Sequence, residues 1–220
     1  VWDGAYYALL GQLLLVWYSE GSLDPPAPPE GWGPSAWSEA AQALWMGSIG
    51  DTGVARRHLA ALTARPEHAL GIYGALPSML SAVIASRGER WQEVTDLLGP
   101  TAYRGYEVGR LEMSAGRWAT QWLVATAYEH LGRGDSAAVY YERLLSPAGS
   151  AAEISVRGLA YPFAHRRLAL VYGQGGERDG AVRHWRAFLE TFTTPGPEVV
   201  WMKDQAEREL GHLSEATGRS

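Results

Sequence analysis

The chain contains no cysteine and no asparagine, and only one lysine, Lys203, among its 19 basic residues. Without thiols there can be no disulfide framework, no thiolate zinc or iron–sulfur ligation and no cysteine nucleophile, and the redox compartment is left open. Without asparagine there is no N-glycosylation acceptor. Basic charge is scarce too: 19 cations stand against 24 carboxylates, a net charge of −5. A binder of phosphate backbones carries a basic stripe, so no nucleic-acid partner is expected. The most apolar stretch, Gly4 to Tyr18, runs for 15 residues and is interrupted by Gln12, whereas a membrane-spanning helix needs roughly 20. It reads as a buried N-terminal apolar helix within residues 1–22, with membrane contact through residues 4–18 as the alternative. Lacking a preceding basic region and a following small-residue cleavage site, it does not read as a signal peptide.

What is present is 220 residues, 46% of them apolar, enough to bury a substantial core. Residues 23–35 hold five prolines in thirteen positions. Each proline lacks a donor and clashes with the preceding turn, so this stretch reads as a linker. From 36 to 213 apolar residues recur at three- and four-residue spacing with short Gly-centred breaks and no period-two alternation, which predicts an all-α domain. Residues 214–220 read as a flexible tail. The preference for arginine over lysine fits the codon usage of a GC-rich bacterial genome; the compartment is left open, a bacterial cytoplasm slightly favoured, with periplasm or cell envelope as alternatives.

The breaks recur. Gly50, Gly88, Gly132 and Gly176 are 38, 44 and 44 residues apart. Seven residues before each stands a small side chain (Ala43, Ser81, Ala125, Ala169), and four before stands a large one (Met46, Ile84, Tyr128, Tyr172). Five residues after come Ala55, Ala137 and Ala181, with Glu93 the exception, which a one-residue shift to Val94 would repair. Nine after come Leu59, Leu97, Tyr141 and Trp185. Such a pattern describes a helical hairpin: glycine supplies the left-handed turn, small residues let the helices approach, and large ones fill the gap to the next hairpin. A lone hairpin cannot bury both faces, so hairpins must stack.

The two clearest copies, Leu123 to Leu145 and Leu168 to Leu189, carry a small residue, a tyrosine, a glycine, an alanine and an aromatic at Ala125, Tyr128, Gly132, Ala137 and Tyr141, and at Ala169, Tyr172, Gly176, Ala181 and Trp185. In this they resemble the tetratricopeptide repeat (TPR) family, and the ensemble resembles the TPR-rich C-terminal regions of bacterial signalling proteins. The family period is about 34 residues, so the longer units carry additions, in segments such as Pro147 to Pro162 and Gly99 to Arg110. The resemblance implies a helical-hairpin array, a TPR-like α-solenoid, sealed by a C-terminal capping helix over roughly Pro197 to Leu213, whose apolar stripe is Val199, Met202, Ala206, Leu210 and Leu213.

No catalytic constellation appears. The six histidines form no His-Glu-x-x-His pair for zinc, no serine sits in a G-x-S-x-G elbow, and Gly173 to Gly176 lacks the Lys-Ser/Thr of a phosphate loop. No enzyme, metal or cofactor is therefore expected. Ten Trp and eleven Tyr are a heavy aromatic load, and Trp32, Trp37, Trp118, Trp122, Tyr103, Tyr106, Tyr161 and Trp201 exceed what the repeat uses. In TPR proteins the first helix of each hairpin lines a concave groove. Transferred by helix phase, the resemblance implies a partner-binding face of Trp122, Thr126, Glu129 and His130 from one repeat and Phe163, Arg166, Leu170 and Gln174 from the next. Trp and Arg are types enriched at binding hot spots. The expected function is a non-catalytic interaction module binding a peptide or protein. The alternative is a sensory domain of a signalling protein that takes a small molecule or glycan on its aromatic faces.

Overall fold

A computed structural model describes residues 17, 20, 24, 36–66, 76–103, 113–146 and 151–215. Among the described residues the fold is all-helical, with no strand: α1 (Ala36–Ile49), α2 (Thr52–Thr63), α3 (Leu76–Arg87), α4 (Trp91–Tyr103), α5 (Met113–His130), α6 (Gly134–Leu145), α7 (Ala151–Gln174), α8 (Arg178–Thr191) and α9 (Val200–Glu215). No helix among them is long and apolar enough to cross a membrane. The expected apolar helix and Pro-rich linker lie outside the described residues apart from Trp17, Glu20 and Asp24.

Consecutive helices pair as hairpins, α1 with α2, α3 with α4, α5 with α6 and α7 with α8. The second helix of each of the first three hairpins also packs on the next hairpin. The leading helices touch in order, α1 on α3, α3 on α5 and α5 on α7, and α9 packs on α8. Where α1 meets α3, Gly47 makes a close approach possible, since a Cβ there would stand 3.1 Å from Val83.

The turns fix the register. Gly50, Gly132 and Gly176 adopt left-handed φ of 97°, 70° and 78°, but in the second hairpin the left-handed residue is Glu89 (φ 54°) and not Gly88. The backbone bonds agree: Gly132, Gly176 and Glu89 donate to Glu129, Gly173 and Ser86, and the following residues Arg133, Glu177 and Arg90 reach back to Tyr128, Tyr172 and Ala85, the helix-ending pattern with a left-handed residue after the last turn. The expectation of a turn centred on Gly88 was therefore one residue early. Shifting by one brings Ala82, Val94 and Leu98, all fully buried, into the places assigned to Ser81, Glu93 and Leu97. Glu93 instead pairs with Arg90 at the surface. Burying those side chains outweighs the roughly 1–2 kcal/mol cost of a left-handed non-glycine residue.

In the corrected register the small positions Ala43, Ala82, Ala125 and Ala169 and the crossing positions Ala55, Val94, Ala137 and Ala181 are all buried. Enlarging one must push two helices apart. Ala137→Leu is expected to cost about 1–3 kcal/mol, read as a lowered urea midpoint, and an unchanged midpoint would refute the packing.

The additions to the repeat have a plain outcome where described. Residues 151–162 belong to α7, which carries Pro162 inside it, and Gly99 to Tyr103 extend α4. The C-terminal helix buries Met202 and Ala206 as expected, with Val199 buried just before it and Leu210 and Leu213 packed against the core. It starts at Val200, after Pro197, and runs through Ser214 and Glu215, two residues into the stretch read as tail.

Candidate binding cleft and its arginine network

A cleft of about 660 Å³ lies along the leading helices α1, α3 and α5 and is bordered by Arg167 of α7 and by Trp17, Glu20 and Asp24. Its aromatic walls are Trp17, Trp91 and Trp122, and its cations are Arg87 and Arg167. His130 lies flat on Trp91, with ring centroids 4.0 Å apart and planes 2° from parallel. Ser48 also lines the cleft. Its hydroxyl is buried and finds no hydrogen-bond partner among the described residues, a state that costs free energy unless a group entering the cleft relieves it.

Of the residues expected to form the partner face, Trp122, Thr126 and His130 meet in this cleft. Glu129 stands beside them, accepting from the Tyr141 hydroxyl at 2.7 Å and from Arg167. The other four lie elsewhere. Phe163 is buried edge-on to Phe192, Leu170 packs against the core, and Gln174 borders a separate recess at the hairpin turns with Arg133 and Glu177. Arg166 is not an open donor fork. It is 3% exposed, and its neighbour Arg167 is the one that reaches the cleft.

Counting from the left-handed turn residue explains what the sequence reading missed. Ser48, Arg87 and His130 each stand two residues before it, and Val83 and Thr126 six before. Applying the phase of α5 to α3 would have found Arg87 and Val83, had Gly88 not been taken for the turn. Of the surplus aromatics, Trp118 is core, Trp122 is buried against the cleft, Tyr161 stands edge-on to His165, and Trp201 is exposed beneath Arg166. Trp32, Trp37, Tyr103 and Tyr106 lie where no side chain is described.

A charged network closes one end of the cleft. Glu20 Oε1 accepts from Arg166 Nη1 at 2.5 Å and from Arg167 Nη1 at 2.6 Å. Burial alone would raise the Glu20 pKa, but the hydrogen bonds and charges of Arg166 and Arg167 overcome that and hold it below the ordinary carboxylate value. Tyr141, fully buried, bonds Glu129 and Thr126 and titrates well above an ordinary phenol because burial disfavours its anion.

A second polar cluster lies inside the last hairpin. His165 of α7 and His184 of α8 are buried with Nδ1 atoms 2.8 Å apart, so one ring donates and the other accepts. Tyr172 stacks on His184. Both imidazoles are pushed down to about 4, mainly by burial, with the partner His184 also lowering His165 and Arg183 lowering His184. Among the described residues no group of three or more His, Asp or Glu is placed to hold a metal ion. Comparison with family models, with curated proteins and with solved structures returned no match.

Proposed function

We propose that this chain is a TPR-like α-solenoid acting as a non-catalytic interaction module, which binds a peptide or protein segment along the leading helices of its hairpins. The observation that carries this reading is the cleft itself: the orphaned Ser48 hydroxyl of α1, Arg87 of α3 and Trp122 of α5, joined by Trp91 at the start of α4, Arg167 of α7 and Trp17. Apolar walls with a few placed polar groups are what a recognised segment needs, with aromatic and arginine anchors supplying most of the energy. The ordered contacts of the leading helices and the recurring turn register support the solenoid description. A second reading, a sensory domain for a small molecule or glycan, draws its support from the convergence of Trp17, Trp91 and Trp122 on one cleft.

Replacing Trp122 and Arg166 would confound binding with folding, because both are buried. Arg87 and His130 are exposed and make the cleaner test. Peptides selected by display on the immobilised chain are expected to bind Arg87→Ala/His130→Ala at least about tenfold more weakly, roughly 1.4 kcal/mol, while its melting temperature stays near wild type. Selected peptides that bind the folded double variant undiminished would move the site off this cleft. A display selection that yields no binder, set beside a small molecule that quenches cleft tryptophan fluorescence, would favour the second reading.

A further inference from the structure

The two guanidinium groups that meet Glu20 are each tethered from another side. Arg166 Nε and Nη2 donate to Gln205 Oε1 of α9 at 3.2 and 2.6 Å, and its guanidinium carbon lies 4.8 Å from the Trp201 ring centroid. Arg167 Nε and Nη2 donate to Glu129 of α5. One nitrogen of each remains, and both aim at a single point, Glu20 Oε1. The tethers come from helices of the array, so the receptor is set up independently of the residue that fills it. Charge demands an occupant as well. Without Glu20, Arg167 would keep the carboxylate of Glu129, and Arg166, which is 3% exposed, would face no anion among the described residues. A buried cation in that position is costly until an anion replaces the lost one. The occupant has an aromatic companion three residues earlier: Trp17, which packs against the core and lines the cleft.

We infer that the Nη1 groups of Arg166 and Arg167 form a carboxylate receptor that the chain fills with its own Glu20, and that a partner peptide presenting a glutamate three residues after a tryptophan takes the same place by displacing Trp17 and Glu20. This deepens the peptide-binding reading and rests on it: the partner is acidic and aromatic, and the unliganded chain is held by a built-in substitute. Affinity for such a partner is reduced by the fraction of time the substitute is in place.

The test uses the whole chain, Glu20→Ala, and two probes: sodium propionate, and a labelled synthetic peptide of residues 12–26. Propionate is expected to raise the melting temperature of Glu20→Ala above that in sodium chloride of equal ionic strength, with no such difference for wild type. The peptide is expected to bind Glu20→Ala at least tenfold more tightly than wild type, and to lose that gain when its own glutamate is changed to glutamine. Should Glu20→Ala fail to fold, Glu20→Gln, which keeps the shape without the charge, takes its place. Propionate no better than chloride, inorganic phosphate better than propionate, or equal peptide affinity for wild type and variant would each overturn the assignment. Display-selected peptides that depend on Arg87 and His130 but bind wild type and Glu20→Ala equally would leave the cleft as the binding site and remove this inference alone.

Discussion

Arg167→Ala is expected to be the most damaging single substitution in the polar network, lowering unfolding free energy by about 3 kcal/mol. The side chain is one-fifth exposed and carries three of the network's contacts, to Glu129 twice and to Glu20 once. Removing it strands Glu129, which is 13% exposed, beneath a tyrosine that is fully buried. Truncating one partner of a buried pair costs roughly 3–5 kcal/mol because the other charge stays behind unpaired, and the residual exposure here places the effect at the lower end. For a chain of this size that is a fall in melting temperature of roughly 6–12 °C. Arg167→Lys keeps the charge but loses the planar fork and should fall between the two. A melting temperature for Arg167→Ala within a degree of wild type would show that the network contributes nothing to the fold.

Acid should act first at the buried histidine pair. Both imidazoles take up protons near 6.5 in the unfolded chain and near 4 in the folded one. Between those values the unfolded state binds more protons, so their contribution is whole above about pH 6.5 and is lost as pH falls toward 4. With each ring less than a tenth exposed, one alone accounts for about 3 kcal/mol by pH 4. Glu20 acts lower down, since its pKa is depressed: its stabilisation is present above the ordinary carboxylate range and fails only below it. Urea midpoints should therefore decline between pH 7.5 and about 5.5, above the ordinary carboxylate range, and that decline should vanish in His165→Phe/His184→Phe. A flat profile down to pH 5 in the wild type would mean the pair is open to solvent.

Hairpin positions were legible in the sequence because burial and turn chemistry are both local. Ala125, Tyr141, Ala169 and Trp185 fall where the period puts them. The second hairpin misled because glycine is normally the residue that takes a left-handed turn, and here Gly88 stands next to the residue that does, Glu89. That one-residue slip also hid Arg87. Helix phase assigned Arg166 to the partner face, but phase says nothing about α9, which covers it through Gln205 and Trp201 and leaves Arg167 as the cation that lines the cleft. The histidine pair joins residues 19 positions apart on two helices, a match that no motif encodes. Least legible was Glu20, an unremarked carboxylate beside a linker, whose partners lie almost the whole array away.

The contact between Glu20 and Arg166 spans 146 positions. Synthesis runs from the N-terminus at about 5–20 residues per second, so Arg166 is made roughly 7–30 s after Glu20. Among the described helices each hairpin packs on the hairpins next to it in sequence, and helix formation takes far less time than that. The leading helices of the first three hairpins are therefore assembled while the carboxylate still lacks its arginines. On a nascent chain the walls that α1, α3 and α5 give to the cleft precede the ion pairs that lock Glu20 across its end.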